Sequence, residues 1–142
     1  MANPIPDGFT PITPYLVIDD APAEIEFLKT LGGVQGDRLD APGGKVGHAV
    51  IKVGGAPIMI SSTMPGHDAQ KGMIFVYVSD VDATYTNATA FAGVEAMMPP
   101  TDQFWGDRAG SLKSPNGVIY WIATHTEDVS MDEIKKRMGT CQ

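Results

Sequence analysis

An α+β fold built from two βαβββ units is predicted by three observations in the sequence. A strand–helix–glycine pattern occurs twice, a strand–turn–strand hairpin follows each copy, and a polar segment rich in turn formers separates them. In the first copy, residues 12–18 (ITPYLVI) read as a strand. Asp19 or Asp20 then caps a helix through APAEIEFLKTL, with Pro22 in the first turn, where a missing N–H costs nothing. Ile25, Leu28 and Leu31 supply its apolar face, and Gly32 with Gly33 stops it. In the second copy, residues 73–78 (MIFVYV) are the strand, Ser79 or Asp80 the cap, and Val81, Tyr85 and Ala88, continued by Phe91 or Ala92, the apolar face. Gly93 is the stop.

Asp20 to Gly33 and Asp80 to Gly93 each span 13 positions (33 − 20 and 93 − 80), at an offset of 60. Beyond the helices, VGHAVIKVGGAPIMISS and FWGDRAGSLKSPNGVIYWIATH both read strand, turn, strand, and Gly55 matches Gly117 at an offset of 62. One domain over residues 1–142 follows: a unit over about 10–64, a linker at 65–71 (PGHDAQK), a unit over about 72–125 and a tail helix over about 130–138. Ser130 and Glu133 form a capping box for that helix, and Met131, Ile134 and Met138 make a stripe expected to dock on the domain.

Ten Lys plus Arg against seventeen Asp plus Glu give a net charge of -7, which excludes a nucleic-acid partner held by clustered cations. No apolar run reaches the length of a membrane span, and the first residues lack the basic and apolar regions of a secretory signal. The single cysteine, Cys141, can frame neither a disulfide scaffold nor a thiolate cluster. A soluble cytoplasmic protein without a membrane partner is the expectation.

The paired units, with the phrases TPYLVIDDAPAEIEF, GKVGHA, DQFWGDRAG and ATHTEDVS, resemble the vicinal oxygen chelate superfamily, the glyoxalase/bleomycin resistance/dioxygenase proteins, and within it the PhnB-like branch. The resemblance runs from Pro11 to about Met138 and implies sheets curled into a cup that binds ligand or metal. In the metal enzymes of that superfamily, four ligands stand on the first and last strands of the two units. Carried over, these positions are Thr13 and Met73 (seven before each capping Asp) and Met59 and Trp121 (four after each turn glycine). Thr, Met, Met and Trp depart from the His, Gln and Glu of the enzymes at every position, so no metal and no other cofactor is expected.

Strand parity places Tyr15 on the side of Thr13 and Phe75 on the side of Met73. The expected ligand-binding wall is Thr13, Tyr15, Met59, Met73, Phe75 and Trp121, with Trp105 at the rim and His48 as a polar handle. His48 is the best catalytic candidate, although a structurally satisfied histidine reads equally well. His67 reads as a solvated linker residue and His125 as a fastener of the last strand to the tail. Arg108 reads either as a bidentate clamp for a ligand carboxylate or, by a slight lean, as a salt bridge with a tail acid such as Glu127 or Asp128, and Asp107, its neighbour, points the other way.

The leading functional expectation is a metal-independent binder that sequesters a partly apolar small molecule. Its rivals are a lyase or oxidoreductase of the same superfamily using His48, and a structural domain with a filled cup. A homodimer is expected, because the open edges of four-stranded sheets need covering.

Overall fold

The computed structural model describes residues 3–140, so Cys141 lies outside the described residues. The first unit runs β1 (Tyr15–Ile18), α1 (Ala21–Lys29), β2 (Val34–Ala41), β3 (Lys45–Val53) and β4 (Ala56–Ser62). The second runs β5 (Met73–Tyr77), α2 (Val81–Thr89), β6 (Glu95–Asp102), β7 (Asp107–Lys113) and β8 (Ile119–His125), followed by α3 (Met131–Thr140). The sheets have the orders β1-β4-β3-β2 and β5-β8-β7-β6, and in each the first strand pairs in parallel with the last. This is the predicted α+β fold of paired βαβββ units with a tail helix.

Local chemistry explains the element ends. The Asp20 carboxylate accepts from Ala23 N at 3.2 Å, and that of Asp80 from Ala83 N at 3.1 Å, so each helix starts on an aspartate cap. Past α1, Gly32 takes φ 88° and the Leu28 carbonyl accepts from Gly33 N at 2.9 Å, a turn that a side chain at Gly32 would strain. β1 starts at Tyr15, three residues later than predicted, because Pro11 and Pro14 have no N–H to give a ladder. Pro99 and Pro100 likewise interrupt the register of β6, an edge strand that tolerates the loss.

One continuous core joins the units. Ile25, Leu28 and Leu31 of the predicted α1 face are buried against the first sheet, with Ile51, Ile58 and Ile60 in the same cluster. A second face of α1 is also buried. Phe27 packs against Tyr120 and Phe91 of the second unit, with ring centroids 5.2 and 5.9 Å apart. Beside it, the fully buried Glu24 accepts from Tyr120 OH at 2.7 Å and from Asn116 Nδ2 at 3.1 Å. Burial, then the charge and hydrogen bond of Glu24, pushes the Tyr120 hydroxyl pKa far above its ordinary value. Asn116 also exchanges hydrogen bonds with the Asp20 backbone, so the second hairpin turn is pinned to the start of α1.

The tail helix departs from expectation in how it is held. Ser130 Oγ does accept from Glu133 N at 3.2 Å, as a cap should. Met131 and Met138 are exposed, however, and only Ile134 of the stripe is half-buried. Polar contacts fasten the helix instead: Arg137 donates to Glu127 Oε1 at 2.7 Å and to the Phe104 carbonyl at 3.2 Å. No helix among the described residues is long and apolar enough to cross a membrane.

Candidate functional site

The helices cover one face of each sheet and leave the other open. Leu16, Ile18, Ile58 and Ile60 of the first unit, and Val76, Tyr120 and Ile122 of the second, belong to the core beneath the helices. By alternation, Tyr15 and Met59, and Phe75, Tyr77 and Trp121, stand on the opposite, inner face. The register makes Tyr15 a direct neighbour of Met59 and Phe75 a direct neighbour of Trp121. These two pairs correspond at the offsets of 60 (15 to 75) and 62 (59 to 121).

In the second unit the pair forms a parallel stack, with Phe75 and Trp121 centroids 6.2 Å apart and planes 5° apart. Phe75 also touches Tyr77 at 5.1 Å between centroids. Met73, at the start of the same strand, is 66% exposed, Tyr77 60% and Phe75 43%. In the first unit the Tyr15 hydroxyl lies 3.2 Å from His48 Nδ1, so His48 shares the inner face, half-buried on β3. Thr13 lies before β1 rather than on it, and its hydroxyl donates to the Thr10 carbonyl at 3.0 Å. A cleft of about 380 Å³ is bordered by Ile12, Pro14 and Pro57 of the first unit and by Ile74, Phe75 and Tyr77 of the second. Tyr15, His48, Met59 and Trp121 are not among its lining residues.

The DQFWGDR segment is a hairpin turn, not the continuous strand expected from its sequence: residues 103–106 link β6 to β7. Gly106 takes φ 102° there, and a Cβ on it would collide with the Glu127 carbonyl. Its own carbonyl accepts from Thr126 N, Thr126 Oγ1 and Glu127 N at 2.9 to 3.1 Å, which ties the end of β8 to the turn.

The turn delivers Asp107 to the inner face as a buried acceptor. Its carboxylate takes hydrogen bonds from Trp105 Nε1 at 2.7 Å and Tyr77 OH at 2.9 Å, and meets His125 Nδ1 at 2.8 Å. Burial alone would raise its pKa, but the bonds from His125, Trp105 and Tyr77 outweigh it and hold the carboxyl below its ordinary range. His125 Nε2 reaches Asp128 Oδ1 at 2.8 Å. Asp128 first and Asp107 second raise the His125 pKa, against a smaller opposing desolvation. The fastening of β8 to the tail that the sequence implied for His125 is this Asp128 contact.

Asp107 and Arg108 point apart, as adjacent strand residues should. The predicted partners of Arg108 are corrected: it binds Asp82 of α2 at 3.0 Å and Asp102 of β6 at 3.3 Å. Glu127 is taken by Arg137 and Asp128 by His125. His67 is exposed in the linker, as expected.

The profile of the Glyoxalase/Bleomycin resistance protein/Dioxygenase superfamily matches residues 9–122. The chain belongs to that superfamily. Uncharacterized proteins of Mycobacterium bovis and Mycobacterium tuberculosis are 32% identical to it over 141 residues, covering 91% of this chain and 92% and 82% of theirs. Among solved structures, TioX from a Micromonospora species is 26% identical at a TM-score of 0.66, covering 82% of this chain and 98% of that one. A PhnB protein from Bacillus cereus, described as a putative 3-demethylubiquinone-9 3-methyltransferase, shares the fold at a TM-score of 0.59 and 16% identity, over 81% of this chain and 99% of that one.

The resemblance to the metal enzymes of this superfamily implies ligand positions at Thr13, Met59, Met73 and Trp121. These residues do not fit such an ion. Thr13 stands off the strand with its hydroxyl engaged, Trp121 presents a stacked indole, and two thioethers are poor partners for a hard or borderline divalent cation. Among the described residues, no group of three or more His, Cys, Asp or Glu side chains is placed to hold a metal. The inner faces thus offer aromatic and thioether surface beside two histidines of different character. His48 meets a phenol, whereas His125 is flanked by two carboxylates.

Proposed function

We propose that this superfamily member is a metal-independent binding protein that holds a flat, partly apolar small molecule against the inner faces of its sheets. The observation that carries this reading is the parallel Phe75–Trp121 stack, flanked by exposed Tyr77 and Met73 on a face that no helix covers. Aromatic and Met surfaces of this kind recognise flat ligands by stacking and polarizable contact. Tyr15, His48 and Met59 supply the matching wall of the first unit, and Trp105 braces the rim through its bond to Asp107.

The protein acts as a homodimer in this reading. Exposed Tyr15, Met73, Phe75 and Tyr77 form more open apolar surface than a solitary cup requires, and a second copy would close it. Light scattering should give twice the chain mass of 15.1 kDa, and a particle of single-chain mass at all concentrations would remove the dimer. For the binding itself, a panel of flat aromatic compounds is titrated by calorimetry while the mixture is assayed for product. Saturable binding without turnover is the expected result; turnover would replace the binder with an enzyme.

A further inference from the structure

Resting on the binding reading above, the second sheet has a chemical preference. We infer that His125, clamped by Asp107, is an anion anchor that takes the carboxylate of an aromatic acid in place of Asp128.

The two carboxylates around His125 differ in kind. Asp107 has a side chain only 1% exposed, and its oxygens are held by Trp105 Nε1, Tyr77 OH and His125 Nδ1. It is fixed, and so it fixes the imidazole. Asp128 is fully exposed, and its bond to Nε2 is its one side-chain hydrogen bond among the described residues. An exposed pair of this kind adds little to stability and exchanges readily. Both ring nitrogens face carboxylates, and only an imidazolium can donate to two acceptors at once. Asp128 therefore occupies the position an external carboxylate would take.

The surroundings say what else the ligand carries. Tyr77, bonded to Asp107, is in ring contact with Phe75, which stacks on Trp121, so an aromatic surface runs along β5 and β8 up to His125. Tyr77 pairs with Ala123, two residues before His125, roughly 7 Å along the strand. A bicyclic ring over Tyr77 would bring its carboxylate to Nε2. The other charges nearby are spent elsewhere: Glu127 on Arg137, and Arg108 on Asp82 and Asp102 behind the sheet. In its protonated form His125 places a cation on this face, held by Asp107, and that cation selects for an anion.

The test compares 2-naphthoate with the neutral 2-naphthamide at about pH 6, below the raised His125 titration. Calorimetry gives affinity, and nitrogen NMR reads the His125 ring and the two indole N–H groups. Naphthoate should bind at least tenfold more tightly than naphthamide and shift the His125 Nε2 signal. Asp128→Asn should strengthen naphthoate several-fold without changing naphthamide, and raising the pH through the His125 titration should abolish the difference. His125→Gln should also abolish it; if that variant does not fold, the Asp128→Asn result and the wild-type Nε2 shift decide. Equal affinities for acid and amide, with His125 unmoved while Trp121 responds, would overturn the anion anchor and leave the binding reading standing. If neither probe moves Trp121, both fall.

Discussion

The two βαβββ units share strand order, helix caps and hairpin turns, yet their inner faces have diverged in chemistry. The first presents Tyr15, His48 and Met59, joined by one exposed 3.2 Å contact between a phenol and an imidazole. The second presents an aromatic stack that leads to a buried carboxylate with three partners. At the offset of 60, Tyr77 corresponds to Val17, and at 62, His125 corresponds to Thr63. Val17 is buried and its backbone pairs with Gln70 of the linker, so the edge of β1 is covered where that of β5 is open. The repeat has kept what packs the core, the caps and the helix stripes. The open faces, which packing does not constrain, have been free to differ.

The largest effect should come from the seam that makes the units depend on each other. Glu24→Ala would leave the buried Tyr120 hydroxyl and Asn116 amide without their acceptor and open a cavity, costing about 3 kcal/mol. Urea unfolding measures it, and two separated transitions would show that the units had become independent. Asp107→Ala orphans Trp105 Nε1 and Tyr77 OH and leaves His125 without its buried partner, a loss of about 2–3 kcal/mol. In the first unit, Tyr15→Phe removes one exposed contact and should cost less than about 1 kcal/mol. Equal losses from the last two substitutions would erase the distinction drawn between the faces.

A smaller effect separates the units by pH. The raised His125 pKa adds stability that is full below its unfolded value of about 6.5 and fades as pH rises through the folded value. The depressed Asp107 pKa adds stability that is present above its unfolded value of about 3.9 and is lost as pH falls through the folded value. Thermal melts across this range should show both flanks in the wild type; Asp107→Ala should lose the acid flank and keep a reduced His125 flank, because Asp128 remains against Nε2. His48→Ala should leave both flanks in place.

Much of this arrangement was legible in the sequence, for identifiable reasons. Cap aspartates, helix periodicity and turn glycines are local signals, so both helices and the hairpins stand where the repeat put them. Parity placed Phe75 on the open face with Met73, the resemblance placed Trp121 there, and the superfamily followed from the paired units with the DQFWGDR and ATHTEDVS phrases. What escaped depends on contacts between distant segments. Phe27 lies outside the Ile25–Leu28–Leu31 stripe, the one hint that α1 has a second buried face, and Glu24 beside it shows no pattern of burial. The Asp107 hub draws on β5, β7, β8 and the turn before β7, and no spacing in the sequence brings Tyr77 to Asp107. Arg108 found Asp82 and Asp102 rather than the tail acids because sequence proximity does not say which acid shares its face.

The central claim is that ligand binds on the open inner face of the second sheet. Its most direct test is an amide and indole NMR titration of the wild-type protein with flat aromatic acids, read at the two tryptophans and along β5 and β8. The account predicts saturable shifts at Trp121 Nε1–H, Phe75, Tyr77 and His125, with Trp105 following through Asp107. Shifts confined to Ile12, Ile58 and Ile74 around the cleft between the units, with Trp121 and His125 unmoved, would contradict it.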